Sequence, residues 1–204
     1  GVVVPPHQIV IARARRRSVL MTPVRARLAL VYLYTLLAMC SVAIPLEAQA
    51  PGSDAVASYY NAVGEYFRVP ASEIMILSEW RLAAEEIPVV LYTAGQSGIS
   101  PEAVVALRRS GQDWPMVARR YGLDAASFYV PIEGSSGPLV RVYQAYGSRP
   151  QAEWSTIDLL DDDIVGLVNL RVLSGVFQVR PGVVLQARDR AGSWVGAYRT
   201  LVRR

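Results

Sequence analysis

The side chains that carry most enzymatic chemistry are confined to the first fifty positions of this chain. The single histidine is His7, the single cysteine is Cys40, and all 21 basic residues are arginine. Residues 51–204 therefore offer no imidazole as a general base near neutral pH, no thiolate nucleophile and no lysine for a Schiff base. The usual zinc, copper and haem ligands are missing there too, so no catalytic residue, cofactor or metal site is assigned. A disulfide is excluded in the same stretch, and stability must come from packing, which a domain of about 150 residues can supply.

Carboxylates are the acid–base groups that remain. Ser78-Glu79-Trp80 resembles the acid site of murein-cleaving, lysozyme-like enzymes. The resemblance implies a carboxylate-dependent hydrolase of cell-wall glycan, with Glu79 as the acid whose pKa an aromatic neighbour raises. It covers three residues, and the downstream glycine and glutamine pattern of such enzymes is absent; the plainer expectation is an exposed helix residue. Asp161, Asp162 and Asp163 lack the alternation and central glycine of a calcium loop. Three acids in a row suit a helix N-terminus, where the macrodipole favours them.

Residues 101–121 resemble a helix-turn-helix, two short helices about Gly111 with Arg119 and Arg120 on the second. Charge argues against a DNA-binding role. Arg13, Arg15, Arg16, Arg17, Arg25 and Arg27 all precede residue 51, where Glu47 is the one acid, so residues 51–204 hold 15 arginines against 16 carboxylates. A net charge of −1 does not neutralise phosphates, and no nucleic acid partner is expected.

The basic pI belongs to the leader. From Leu28 to Ile44 the chain is uncharged and apolar, arginines come before it, and Pro45 to Ala50 follow with small residues. This is the order of a secretory signal, with Met21 as a plausible start and cleavage near Ala48 or Ala50. Retained, the seventeen residues span about 26 Å as a helix, within reach of a single tilted membrane span. Leu37-Ala38-Met39-Cys40 resembles a lipoprotein box with Met in place of the usual small residue. Arg16-Arg17 resembles a twin-arginine motif, separated from the apolar run by Pro23. The expected location of residues 51–204 is periplasmic or secreted, alternatively membrane-anchored outside the cytoplasm.

Those residues read as an all-α domain, or mostly α with a small β-hairpin. Val56, Tyr59, Tyr60, Val63 and Phe67 follow helical spacing after a short linker at Pro51-Gly52-Ser53, and Val69-Pro70 stops the helix. A second helix starts at Ser72, and a third near Ala83 with Pro88 disturbing its first turn. Alternation and turn residues over 127–143 predict the hairpin, although Pro131 weakens it.

An internal similarity at an offset of 80 residues organises the rest. Gly95, Pro101, Val104, Arg108, Trp114 and Arg119 align without a gap on Gly175, Pro181, Val184, Arg188, Trp194 and Arg199. Each unit, at about 72–122 and 152–204, reads as a helix closing at a glycine, a proline-opened helix, a glycine turn and a tryptophan-headed helix. Each tryptophan is expected to pin its helix to the one before it.

Tyr59, Tyr60, Tyr66, Phe67, Tyr121, Phe128, Tyr129, Tyr143 and Tyr146 make the domain rich in aromatics. Such residues fill cores and also dominate interface hot spots. Together these features point to a non-enzymatic, extracytoplasmic helical interaction domain with a protein partner, as in an accessory subunit of an envelope or membrane complex.

Overall fold

The computed structural model describes residues 51–203, and the leader with His7, Cys40 and Leu28 to Ile44 lies outside the described residues. Ten α-helices follow in order: α1 (Pro51–Phe67), α2 (Ala71–Glu79), α3 (Ile87–Ser97), α4 (Pro101–Arg109), α5 (Trp114–Arg120), α6 (Ala125–Phe128), α7 (Val140–Gly147), α8 (Asp161–Phe177), α9 (Pro181–Ala191) and α10 (Trp194–Val202). Short 3-10 helices precede α3 (Ala84–Glu86), α7 (Gly137–Leu139) and α8 (Gln151–Thr156). No strand occurs among the described residues, so the all-α reading holds.

Two helices form the centre. In α3 every residue from Ile87 to Ala94 is buried, and α8 buries Ile164, Leu167, Val168, Leu170, Val172 and Leu173. Helices apolar on all sides must be enclosed by others. Accordingly α8 packs against α1, α3, α5, α6, α9 and α10. Polar residues in this core are few, Thr93, Asp163 and Asn169 among the described residues; Asn169 is fully buried, accepts from the Tyr59 hydroxyl of α1, and donates to the carbonyls of Glu85 and Val165, each at 2.8 Å. All the hydrogen-bonding directions of its amide nitrogen are thereby used, which removes the penalty of burying it.

Local chemistry sets the helix ends. Ser100, Asp113, Asp124 and Ser193 each accept from a backbone N–H in the first turn of α4, α5, α6 and α10, satisfying groups the helix cannot pair itself. Pro88 lies in the first turn of α3, behind the 3-10 turn, which is where its missing N–H does least harm. The linker read at Pro51 is instead the first turn of α1.

Some of the aligned residues fall at similar points of their helices. Pro101 and Pro181 open α4 and α9; Val104 and Val184 are both completely buried; Trp114 and Trp194 head α5 and α10. Gly98 and Gln178 both adopt left-handed backbone after α3 and α8, and the next N–H, of Ile99 or Val179, reaches back to Ala94 or Ser174 at 3.2 Å. That arrangement closes a helix through its last free carbonyls. Gly95 and Gly175 are not the closing residues, contrary to the sequence reading. A Cβ on Gly175 would stand 2.4 Å from the Tyr66 ring, whereas one on Gly95 would meet nothing.

The expected hairpin at 127–143 does not form. Leu139, Val142 and Tyr146 are buried on one side of α7 and its 3-10 entry, a helical spacing that mimics alternation over the shorter stretch from 139 to 143. The preceding carbonyls are met by side chains. Ala125 accepts from the Tyr146 hydroxyl at 2.6 Å, Ser127 from Tyr92 at 2.5 Å, Tyr129 from the Arg171 guanidinium at 2.8 Å and Val130 from Tyr143 at 2.6 Å. These long-range donors replace a strand partner.

Candidate interaction site

The carboxylates nearest the core are committed to holding helix ends. Glu86 accepts at one oxygen from Arg108 at 2.8 Å and from the Trp114 indole N–H at 3.0 Å, and at the other from the Ala83 N–H at 3.0 Å. Asp161, at the start of α8, takes the Trp114 backbone N–H at 2.6 Å and Arg108 at 2.8 Å. Burial lowers the Arg108 pKa, but Glu86 and Asp161 outweigh that and leave it raised. Glu85, just before α3, takes the Trp194 and Val195 N–H groups at 2.5 and 3.2 Å. An acid ahead of α3 thus caps α10, and an acid opening α8 caps α5. Asp163 is buried, accepts from the Leu160 N–H at 2.7 Å and pairs with Arg141.

Trp114 and Trp194 each also lie under an arginine six residues before: Arg108 is 5.1 Å from the Trp114 ring and Arg188 5.4 Å from the Trp194 ring. Both indoles are buried.

The aromatic residues divide between core and surface. Tyr59 and Phe128 are sealed inside, and burial, with Glu85 nearby, pushes the Tyr59 pKa well up. Tyr60, Phe67 and Tyr121 are half-buried, and Tyr66 is exposed. A third group gathers where α6, α7 and the 3-10 helix Gln151–Thr156 meet. Tyr129 is 4.3 Å from Trp154 and 4.9 Å from Tyr146 between ring centres, and Tyr146 is 5.0 Å from Trp154. The Trp154 indole donates to the Tyr146 carbonyl at 3.1 Å, which fixes the 3-10 helix on α7. Burial raises the pKa of both Tyr143 and Tyr146. These rings border an open groove completed by Ile132, Gly134, Ser136, Gln144 and Gly147, with no charged side chain in its lining. The sequence supplied Tyr129, Tyr143 and Tyr146 but not Trp154, which lies outside the aligned positions and carried no helical spacing.

The other sequence candidates lie apart. Glu79 ends α2 and is exposed. Arg119 and Arg120 are exposed at the C-terminal end of α5, while the N-terminal end, which a recognition helix turns toward base edges, carries the buried Trp114. Among the described residues no group of acids, histidines or cysteines is placed to hold a metal, and no helix is long and apolar enough to cross a membrane. No protein-family model, curated protein or solved structure matches this chain.

Proposed function

We propose that residues 51–204 are a non-enzymatic, extracytoplasmic interaction domain that binds a protein partner through the aromatic groove, as an accessory subunit of an envelope or membrane complex. The observation that carries this reading is the half-buried set Tyr129, Tyr143 and Trp154 around an uncharged opening. Rigid aromatic side chains already locked by packing and hydrogen bonds lose little entropy on binding, which is why they serve as interface anchors. The commitment of Glu85, Glu86, Asp161 and Asp163 to N–H groups and arginines supports the non-enzymatic half of the proposal.

The domain is further read as two similar units that brace each other. Supporting this are the paired prolines, valines, arginines and tryptophans, together with the reciprocal capping by Glu85 and Asp161. Capture of the protein from solubilised native membranes and from the surrounding medium tests the function. A partner retained by the wild type and lost from Trp154→Ala supports it; a partner-free monomer in every fraction overturns it. If Glu79→Gln instead slows cell-wall turnover, the glycan-hydrolase reading takes its place.

A further inference from the structure

A second opening uses the far end of the 3-10 helix that carries Trp154. Ser155 and Thr156 line it, and its floor is apolar: Ala118, Leu123, Ala125, Phe128, Leu159 and Ile164, none more than 8% exposed. The cavity measures about 150 Å³, a volume that a benzene-sized group fills. Asp124, Asp158 and Arg119 stand among its lining residues, two acids against one base. Met116 and Leu160, 48% and 55% exposed, follow directly on the lining residues Pro115 and Leu159.

Residues 157–159 form one wall, and 157–160 have the character of an unpaired strand. Ile157 and Leu160 have extended backbone. Burial alternates with a period of two: Ile157 and Leu159 point inward, Asp158 and Leu160 outward. The Ile157 and Leu160 N–H groups are used, by the Trp154 carbonyl at 3.1 Å and by Asp163 at 2.7 Å. Among the described residues nothing pairs with the N–H groups of Asp158 and Leu159 or with the carbonyls of Ile157, Asp158 and Leu159. In an extended segment alternate residues turn their N–H and C=O to the same edge, so the Ile157 carbonyl and both groups of Leu159 share one edge and those of Asp158 face the other. A free extended edge beside an apolar pocket is the geometry by which added peptide strands are held: the main chain supplies affinity, and the pocket selects alternate side chains.

We infer that residues 157–160 and the adjoining pocket receive an extended segment of a partner protein, one apolar side chain entering the pocket and a basic residue beside it facing Asp124 and Asp158. This inference rests on the domain being a protein-binding module, but not on the aromatic groove. Few main-chain groups are free, so the segment binds weakly by itself and gains avidity from a second contact.

The test uses the full chain and labelled, N-acetylated heptapeptides with Leu, Phe, Ala or Asp at the centre and Arg or Glu next to it, read by fluorescence polarisation. Peptides pairing Leu or Phe with Arg are expected to bind at least tenfold more tightly than those with Ala or Asp at the centre, or with Glu beside it. N-methylation at alternate positions, where the edge needs the N–H, is expected to abolish binding, and at the intervening positions to leave it unchanged. Asp158→Arg, at an exposed position, should reverse the preference from Arg to Glu. Absence of saturable binding, equal loss from N-methylation at every position, or an unchanged preference in Asp158→Arg would overturn the inference. If Trp154→Ala still abolishes partner capture in that event, the broader function stands.

Discussion

The two tryptophan corners differ in how completely their polar groups are matched. At the first, Arg108 meets two carboxylates, and Trp114 has both its backbone and its indole N–H bonded. At the second, Glu85 takes the backbone N–H of Trp194, but Arg188 has no carboxylate partner, and its buried Nε atom has no hydrogen bond among the described residues. The same Arg-over-Trp contact therefore sits in a neutralised network at one corner and in an open one at the other. A matched network stiffens a joint because removing one member strands the others. The first corner is thus expected to be the costlier of the two to disrupt.

The largest expected effect comes from the rings themselves. Trp114→Ala should cost about 3–5 kcal/mol by the usual scale for large core aromatics, and more than Trp194→Ala, because it also takes from Glu86 the bond to the indole N–H. Urea denaturation of the two variants would show it, and equal losses would erase the distinction between the corners. Next come the arginines. Arg108→Met should cost about 2 kcal/mol through the unpaired Glu86 and Asp161. Arg188→Met, giving up a cation–π contact alone, should change stability by about 1 kcal/mol or less.

Alkaline titration probes the core behind both corners. Burial raises the folded-state pKa of Tyr59, Tyr143 and Tyr146 above the ordinary value of 10.0. Below that value the folded and unfolded chains bind the same protons, and stability is at its full value. As pH rises past it, the unfolded chain ionises first and stability falls. Denaturation midpoints should decline above about pH 10, with tyrosinate absorbance from these residues appearing only as the chain unfolds. Tyr59→Phe should shallow the decline. Effects as small as that of Arg188→Met belong to the caps: Asp113→Ala and Ser193→Ala should each cost about 1 kcal/mol, measurable as a small shift in thermal midpoint.

What could be read from the sequence was local. Ser100 and Pro101, Asp113 and Trp114, and the turn glycines Gly111 and Gly192 mark helix boundaries within a few residues of themselves, and the helices begin and end there. Long-range partners left no such mark. Asp161 was legible as an acid at a helix start, yet its ligand is the Trp114 N–H, 47 residues away, and Glu85 meets an N–H 109 residues away. The hairpin misreading has the same origin, because the donors that satisfy the carbonyls of Ala125, Ser127, Tyr129 and Val130 come from α3, α7 and α8. The candidate groove was half legible: its tyrosines stood out by number, whereas Trp154 joins them only through the packing of a 3-10 helix on α7.

Placing a photo-crosslinking amino acid at Gln144, an exposed residue lining the aromatic groove, and a second at the exposed Arg109 of α4, tests the binding role most directly. On irradiation in the native cell, the Gln144 position should yield one discrete adduct with another protein and the Arg109 position none. No adduct at Gln144, or the same adducts at both, would contradict the assignment of this face to a partner.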